Sequence, residues 1–420
     1  MINEHSIQAV DGSRLGEHFL KPLYDSYCFS NIPSLVHYSL TGNGRSGFPD
    51  DVLGQLPRRY NKVILLFLDA FGWRFFSKWQ ERTPFLKRFA DRGVVSKITS
   101  QFPSTTAAHI TTVHTGLPVG QTGVFEWYYY EPLVDRIIAP LLFSFAGDKQ
   151  RETLKQTGIP TAEFFPQQSL YKQLAQNGVK STIVQYHDYL LSSWSDTILS
   201  PAKMLPYKSL SEGLTLLSDA VNAEQGRAYY FLYFAMLDTL CHQYGPDSPE
   251  FEAEVATTLY ALETHLYKHI SNSKDTLLLI TADHGQTEVS PDTLIALSET
   301  APALESMIRR NRRGDLLVPA GSARNMFLYI EPRYLGKAQA LLAGNLAEYA
   351  EVHRTEDLIQ QGLFGSVSER FRERVGNLVV LPSIGQMIWW TREHPRFYGH
   401  HGGLTFDEME TMLLALNLAS

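Results

Sequence analysis

The longest apolar runs of the chain share one design. "KVILLFLDAFGW", "RAYYFLYFAMLDTLCH" and "DTLLLITADHGQ" are each a short stretch of aliphatic and aromatic residues that stops at an aspartate. A run apolar at every position, rather than at alternate ones, is covered on both faces, which marks parallel strands between helical layers. In open α/β sheets ligands gather at the carboxyl ends of such strands. The pattern therefore predicts Asp69, Asp238 and Asp283 along one edge of one sheet.

Helical periodicity falls between these runs. Phe251, Val255, Leu259, Leu262 and Leu266 lie on one stripe and predict an amphipathic helix. "TPFLKRFADRG" predicts a helix closed by Gly93, followed by the strand "VVSKITS". "LTFDEMETMLLALNL" carries Thr405 and Glu408 at capping-box spacing and predicts a final helix. Alternating strands and helices point to an α/β fold, a doubly wound and mostly parallel sheet flanked by helices.

Two regions break the alternation. Residues 127–166 are aromatic and irregular. Residues from about 289 to 391 form a long excursion with a strand-like "NMFLYI", a helix-like "GKAQALLAGNLAEYA" and a strand-like "NLVVLP". The organisation expected is one domain over residues 1–420, with an inserted subdomain at about 289–391.

Composition narrows the function. The 420 residues are 44% hydrophobic and 19% charged, as in an ordinary globular protein, and the net charge of −7 disfavours broad nucleic-acid binding. Two distant cysteines, Cys28 and Cys241, make no disulfide framework and suit a reducing compartment. The amino terminus has no basic region followed by an apolar run, and Val63 to Leu68 is too short to span a bilayer. A cytoplasmic protein without a transmembrane segment is expected.

The candidate chemistry lies where the strands stop. Asp238 and His242 are four residues apart, so one helical turn puts them on one face. Asp283 and His284 are adjacent, and His401 sits in the glycine-bracketed "YGHHGGLTF", with His400 as its competitor. Together with Asp69 these make three carboxylates and three imidazoles, a donor set for zinc and similar divalent ions. The stretch "SQFPSTTAAHITTVHTG" adds five threonines and two serines without a charge. Ser104 or Thr105 can cap a helix there, and a hydroxyl at a helix amino terminus also stands where an anion is favoured.

The blocks "LLFLDAFGW", "FPSTTAAHITTVHTGLPVGQTGV", "AMLDTLCHQYGP", "LLITADHGQTEV" and "HHGGLTFDEM" occur in an order that resembles the type I phosphodiesterase/nucleotide pyrophosphatase family of the alkaline phosphatase superfamily. The resemblance implies two metal sites, one of Asp238, His242 and His401, the other of Asp69, Asp283, His284 and a nucleophilic threonine. Counted back from the "TG" turn, that threonine is Thr106, with Thr105 as the fallback. It further implies two divalent ions, most readily zinc or else manganese, a phosphothreonine intermediate, and a small-molecule phosphate ester or anhydride as substrate. A phosphonate hydrolase, phosphomonoesterase or phosphotransferase is the alternative within the superfamily, and a catalytically silent metal-binding protein the alternative outside it.

One position departs from the family. An asparagine expected shortly after the "TG" turn is replaced by Glu126 and Trp127, beside a tyrosine run that either packs or lines a pocket. His109 and His114 read as core residues next to the nucleophile, His187 as structural, and Cys241 as an inward-packed thiol. Arg324 is a distant cation able to fold towards the site.

Overall fold

Seven strands make the central sheet of the computed structural model, which describes every residue except Leu191 and Ser420. In chain order they are β1 (Lys62–Leu68), β2 (Val94–Thr99), β3 (Lys180–Tyr186), β4 (Lys203–Tyr207), β5 (Ala228–Phe234), β6 (Thr276–Thr281) and β7 (Glu410–Asn417). Across the sheet the order is β2-β7-β6-β1-β5-β3-β4. The pairs β6–β1, β1–β5, β5–β3 and β3–β4 are parallel. Only β7 runs against its two neighbours.

The three aspartate-ended runs are the central three strands, and their composition explains why. Along β1, Val63, Leu65 and Phe67 enter one core while Ile64, Leu66 and Leu68 enter the other. Helices cover both faces, among them Thr106–Thr115 and Leu170–Gln176 on the first and Pro84–Arg92 and Pro249–Ala261 on the second. Each fully buried aliphatic side chain contributes about 1.5–3 kcal/mol, so such a strand is stable only between two covered faces. Register sets Leu68 opposite Phe234 and Phe67 opposite Thr281, so β1, β5 and β6 end together.

The stripe from Phe251 is buried throughout, in a helix (Pro249–Ala261) that continues as a π-helical turn over Leu262–Tyr267. The predicted final helix is a correction. The Thr405–Glu408 capping box forms, but the helix it opens ends at Met409, and residues 410–417 are β7. The run from Met412 to Leu416 is apolar at every position, and insertion between β2 and β6 buries both of its faces. A continuous apolar run of this length does not separate helix from strand, and tertiary pairing decided it.

The excursion builds a separate antiparallel sheet from Gly321–Ser322, Asn325–Leu328, Leu378–Pro382 and Ala350–Arg354, in that spatial order. Helix Leu335–Asn345 packs Ala338 and Leu342 into its apolar core. The aromatic region is more regular than its composition suggests, with Tyr129–Glu131, Arg136–Ala139 and Ser144–Phe145 forming a three-stranded antiparallel sheet. Both cysteines are buried and free. Among the described residues no helix is long and apolar enough to cross a membrane.

Candidate active site

Asp69 follows β1 directly, and its N–H donates to Phe234 O at the end of β5 (3.0 Å). The next residue, Ala70, has φ +62, an uncommon left-handed turn for a side-chain-bearing residue, and its N–H donates to Asp283 Oδ1 (3.2 Å). Gly285 lets the turn after β6 close on its neighbours, because a Cβ there would lie 2.2 Å from Asp407 O. These turns bring the predicted residues into two groups, Asp238–His242–His401 and Asp69–Asp283–His284, each with one donor atom per residue within 4.8 Å of the others. The groups abut where the His284 and His401 rings stack at 3.6 Å.

In the first group, His242 Nε2 is 3.4 Å and His401 Nε2 3.5 Å from Asp238 Oδ1. The i, i+4 spacing in helix Met236–Tyr244 places Asp238 and His242 on one face as the sequence predicted. In the second, His284 Nε2 lies 3.2 Å from Asp283 Oδ2 and 3.7 Å from Asp69 Oδ1. Each of the three imidazoles has its Nδ1 on a backbone carbonyl: His242 on Gly399 (2.7 Å), His284 on Gly285 (3.0 Å) and His401 on Ser104 (2.8 Å). A ring that donates from Nδ1 turns a bare Nε2 lone pair inward, the tautomer a metal-ligating histidine needs.

The electrostatics fit a cation. Burial, reinforced by Asp283 and Asp238, pushes the Asp69 carboxyl well above the ordinary aspartate range. Burial also opposes charge on Asp283, but the adjoining His284 overrides it and holds Asp283 low. Burial and the neighbouring imidazoles of His284 and His242 keep His401 well below the usual histidine value. Asp283 Oδ2 is a buried oxygen without a hydrogen-bond partner. Three crowded carboxylates, one with an unsatisfied oxygen, and three imidazoles whose Nε2 atoms face them match an oxygen-and-nitrogen site for a divalent ion.

Among the hydroxyls, Ser104 Oγ donates to Gly403 O (2.7 Å) and Thr105 Oγ1 to Phe125 O (3.1 Å). Thr105 occupies the cap position of helix Thr106–Thr115 without making a capping bond. Thr106 Oγ1 instead lies 3.3 Å from His284 Nε2 and 3.5 Å from Asp69 Oδ1, on the wall of a cavity of about 830 Å³.

Glu126 does not face that cavity. Its side chain is fully buried, accepting from the Trp127 N–H (2.6 Å) and the Asn325 amide (2.7 Å), and Trp127 and Tyr128 line the wall in its place. Burial raises the Glu126 carboxyl to about 7. The tyrosine run divides: Tyr129 stacks on Phe125 in the core, and Tyr130 donates to Asp135. Arg324 also stays out of the cavity, paired with Glu408. His109 accepts from the Gln101 N–H and bonds Thr105 O, His114 bonds the Tyr171 hydroxyl, and His187 pairs with Asp188 and belongs to neither group.

Two partners of the aspartates escaped sequence reasoning. Tyr233, one residue before the end of β5, donates its hydroxyl to Asp69 Oδ2. Gln286 Nε2 donates to Asp238 Oδ1 (2.6 Å). Tyr233 reads as one more core aromatic in its run and carried no signal. Gln286 follows Asp-His-Gly directly, and that position was the available hint.

Comparison with known proteins adds to this geometry. No curated protein matches the chain. The structure of murine ectonucleotide pyrophosphatase/phosphodiesterase 5 is similar at 18% identity, covering 84% of this chain and 88% of that one with a TM-score of 0.64. An inactive threonine-to-alanine variant of that protein in complex with AMP gives 18%, 84%, 87% and 0.66. The human counterpart gives 17%, 84%, 87% and 0.65. At these identities the likeness concerns the fold, which is alkaline phosphatase-like. The type I phosphodiesterase / nucleotide pyrophosphatase model matches residues 63–404, a span that holds both three-residue groups and Thr106. The chain belongs to the type I phosphodiesterase/nucleotide pyrophosphatase family.

Proposed function

We propose that this protein is a metal-dependent phosphodiesterase of the nucleotide pyrophosphatase type, with Thr106 as nucleophile. The observation that carries the reading is the place of Thr106 Oγ1, 3.3 Å from His284 Nε2 at the start of a ten-residue helix where the two groups meet. Asp69, Asp283, His284 and Thr106 would hold one divalent ion, and Asp238, His242 and His401 the other. The donor set favours zinc, with manganese second. Bound there, the ions stabilise negative charge on the entering and leaving oxygens.

The chain's own residues do the rest. Unpaired amides of the first helical turn favour the phosphoryl oxygens. The Thr106 hydroxyl gives its proton to water as Oγ1 bonds to phosphorus, the ester oxygen departs with the electron pair of its bond to phosphorus and takes a proton from water, and water then hydrolyses the phosphothreonine; two inversions leave the configuration retained. Trp127, Tyr128 and Leu317 offer an apolar wall to the organic substituent. Among the described residues no lysine or arginine pairs with Asp69, Asp238 or Asp283, and Arg324 is committed to Glu408. That supports a singly charged diester over a doubly charged monoester. AMP, which the murine relative binds, is the class of product that cleavage of a nucleotide ester gives.

The test is turnover of bis(4-nitrophenyl) phosphate with parallel metal analysis. Thr106→Ala should abolish turnover and keep bound metal. Loss on Thr105→Ala with Thr106→Ala active reassigns the nucleophile. A purified protein that binds no divalent ion and cleaves no ester with zinc or manganese added is the silent binding protein instead.

A further inference from the structure

Ser104 stands two residues before Thr106, yet its polar atoms all go to the turn that carries His401. Its N–H donates to Gly402 O (3.3 Å), and its carbonyl accepts from His401 Nδ1 (2.8 Å). Its hydroxyl bridges the same turn, accepting from the Gly402 N–H (3.1 Å) and donating to Gly403 O (2.7 Å). The residue is fully buried and does not line the cavity, so it touches no substrate. Nor does it cap the helix that begins at Thr106, whose cap position is Thr105.

The His401 turn needs holding from outside. Gly402 has φ +126, a conformation open to glycine and strained for other residues, and a second glycine follows it. Backbone with that freedom does not by itself fix the imidazole before it. Asn325 also bonds Gly402 O, and Glu408 accepts from the Gly403 N–H. Of these three residues, only Ser104 belongs to the segment that leads into Thr106. His401 Nε2 lies 3.5 Å from Asp238 Oδ1, and a ring that swings on its Nδ1 bond would lose that approach.

The orientation of a metal ligand is set by the partners behind it. We propose that Ser104 is a positioning residue whose hydroxyl fixes the His401 turn, so that the ring closes the Asp238–His242–His401 group against the segment carrying the nucleophile. The inference rests on the two-ion reading above. Ser104 sets how tightly the Asp238–His242–His401 group holds its ion and leaves the Asp69–Asp283–His284 group unaffected.

Ser104→Ala removes both hydroxyl bonds and keeps both backbone ones. Loss of a ligand's direct partner costs about 10–100-fold in metal affinity. Because the Nδ1 bond to Ser104 O survives, the expected loss is at the low end, about tenfold, at one of two sites in a competition titration with a zinc indicator. In a His242→Ala background, which disables the Asp238–His242–His401 group, Ser104→Ala should leave the remaining site unchanged. Turnover of bis(4-nitrophenyl) phosphate by Ser104→Ala should fall at limiting zinc and return once zinc saturates the weakened site. A substitution that merely loosened packing would not be rescued in this way. If Ser104→Ala does not fold, Ser104→Cys carries the same test, because a thiol is a weak donor and acceptor of nearly the same shape.

Unchanged affinity at both sites overturns the inference, as does equal weakening of both, a loss that persists in the His242→Ala background, or turnover that zinc does not restore. A wild-type protein that binds no zinc overturns the two-ion reading instead. One that binds zinc and cleaves no ester overturns the phosphodiesterase reading, and the titrations then decide the role of Ser104.

Discussion

Arg324 and Glu408 form a buried two-point pair, Nε to Oε1 at 3.0 Å and Nη2 to Oε2 at 2.8 Å, with neither side chain exposed. Glu408 also accepts from the Gly403 N–H and the Thr405 hydroxyl, and Arg324 Nη1 donates to Ser383 O and Gln386 O. One ion pair thus ties the 289–391 segment to the turn that carries His401. Removing one partner leaves a buried charge uncompensated, so Arg324→Met or Glu408→Leu should destabilise by about 3–5 kcal/mol in urea unfolding. The double variant should lose clearly less than the two singles combined. Simple additivity would mean that the pair is not energetically coupled.

Glu126 makes stability depend on pH in a stated direction. Its carboxyl rises from 4.5 to about 7 on folding, chiefly by burial, with the Trp127 and Asn325 hydrogen bonds acting against the rise. The folded state therefore holds the proton that the unfolded state releases between these values, so stability falls as pH rises from 4.5 through 7. A shift of this size corresponds to about 3 kcal/mol. Measured against Glu126→Gln, the wild type should lose about that much between pH 4.5 and 8, whatever the constant offset of the substitution. Parallel stability curves for the two proteins would show that Glu126 ionises normally.

The Tyr233 hydroxyl fixes one oxygen of Asp69. Tyr233→Phe keeps the ring's packing and removes that donor. Loss of such a partner typically costs 10–100-fold in metal affinity. Competition titration with a zinc indicator should show a loss in that range at one of two sites and an unchanged fold by circular dichroism. Unchanged affinity at both sites would make the hydroxyl a packing detail.

If both groups bind ions, the folded state is stabilised by mass action. Chelation should lower the Tm, and zinc at about a hundredfold excess over its Kd should return about 2.7 kcal/mol per site. Because ligand histidines must be neutral, the gap between loaded and stripped protein should shrink as pH falls below about 6. A Tm indifferent to chelator at every pH would argue against resident ions.

The parts of this molecule written in local patterns were readable in advance. Apolar runs ending at Asp69, Asp238 and Asp283 identified the central strands because burial on both faces leaves no alternation. The i, i+4 pair Asp238–His242 needed only helix geometry. What could not be read depends on contacts between distant segments. Residues 410–417 have the composition of either element, and only the gap between β2 and β6 makes them a strand. Glu126 adjoins a cavity wall in sequence yet turns away from it, because Asn325, 199 residues on, supplies its partner. Tyr233 and Gln286 acquire meaning only when the carboxylates they touch are in place.

The position of β7 has a consequence for how the protein is made. It is synthesised after the other six strands, yet it lies second from the edge of the sheet, between β2 and β6. Until it emerges, β2 has no strand beside it and β6 presents an open hydrogen-bonding edge. The nascent chain therefore carries a gap in its sheet that a foreign strand could fill, and such edges invite aggregation. His401 precedes β7 by nine residues, so closing the gap and completing the Asp238–His242–His401 group belong to one late event. An enzyme built in this order has no active precursor during its own synthesis.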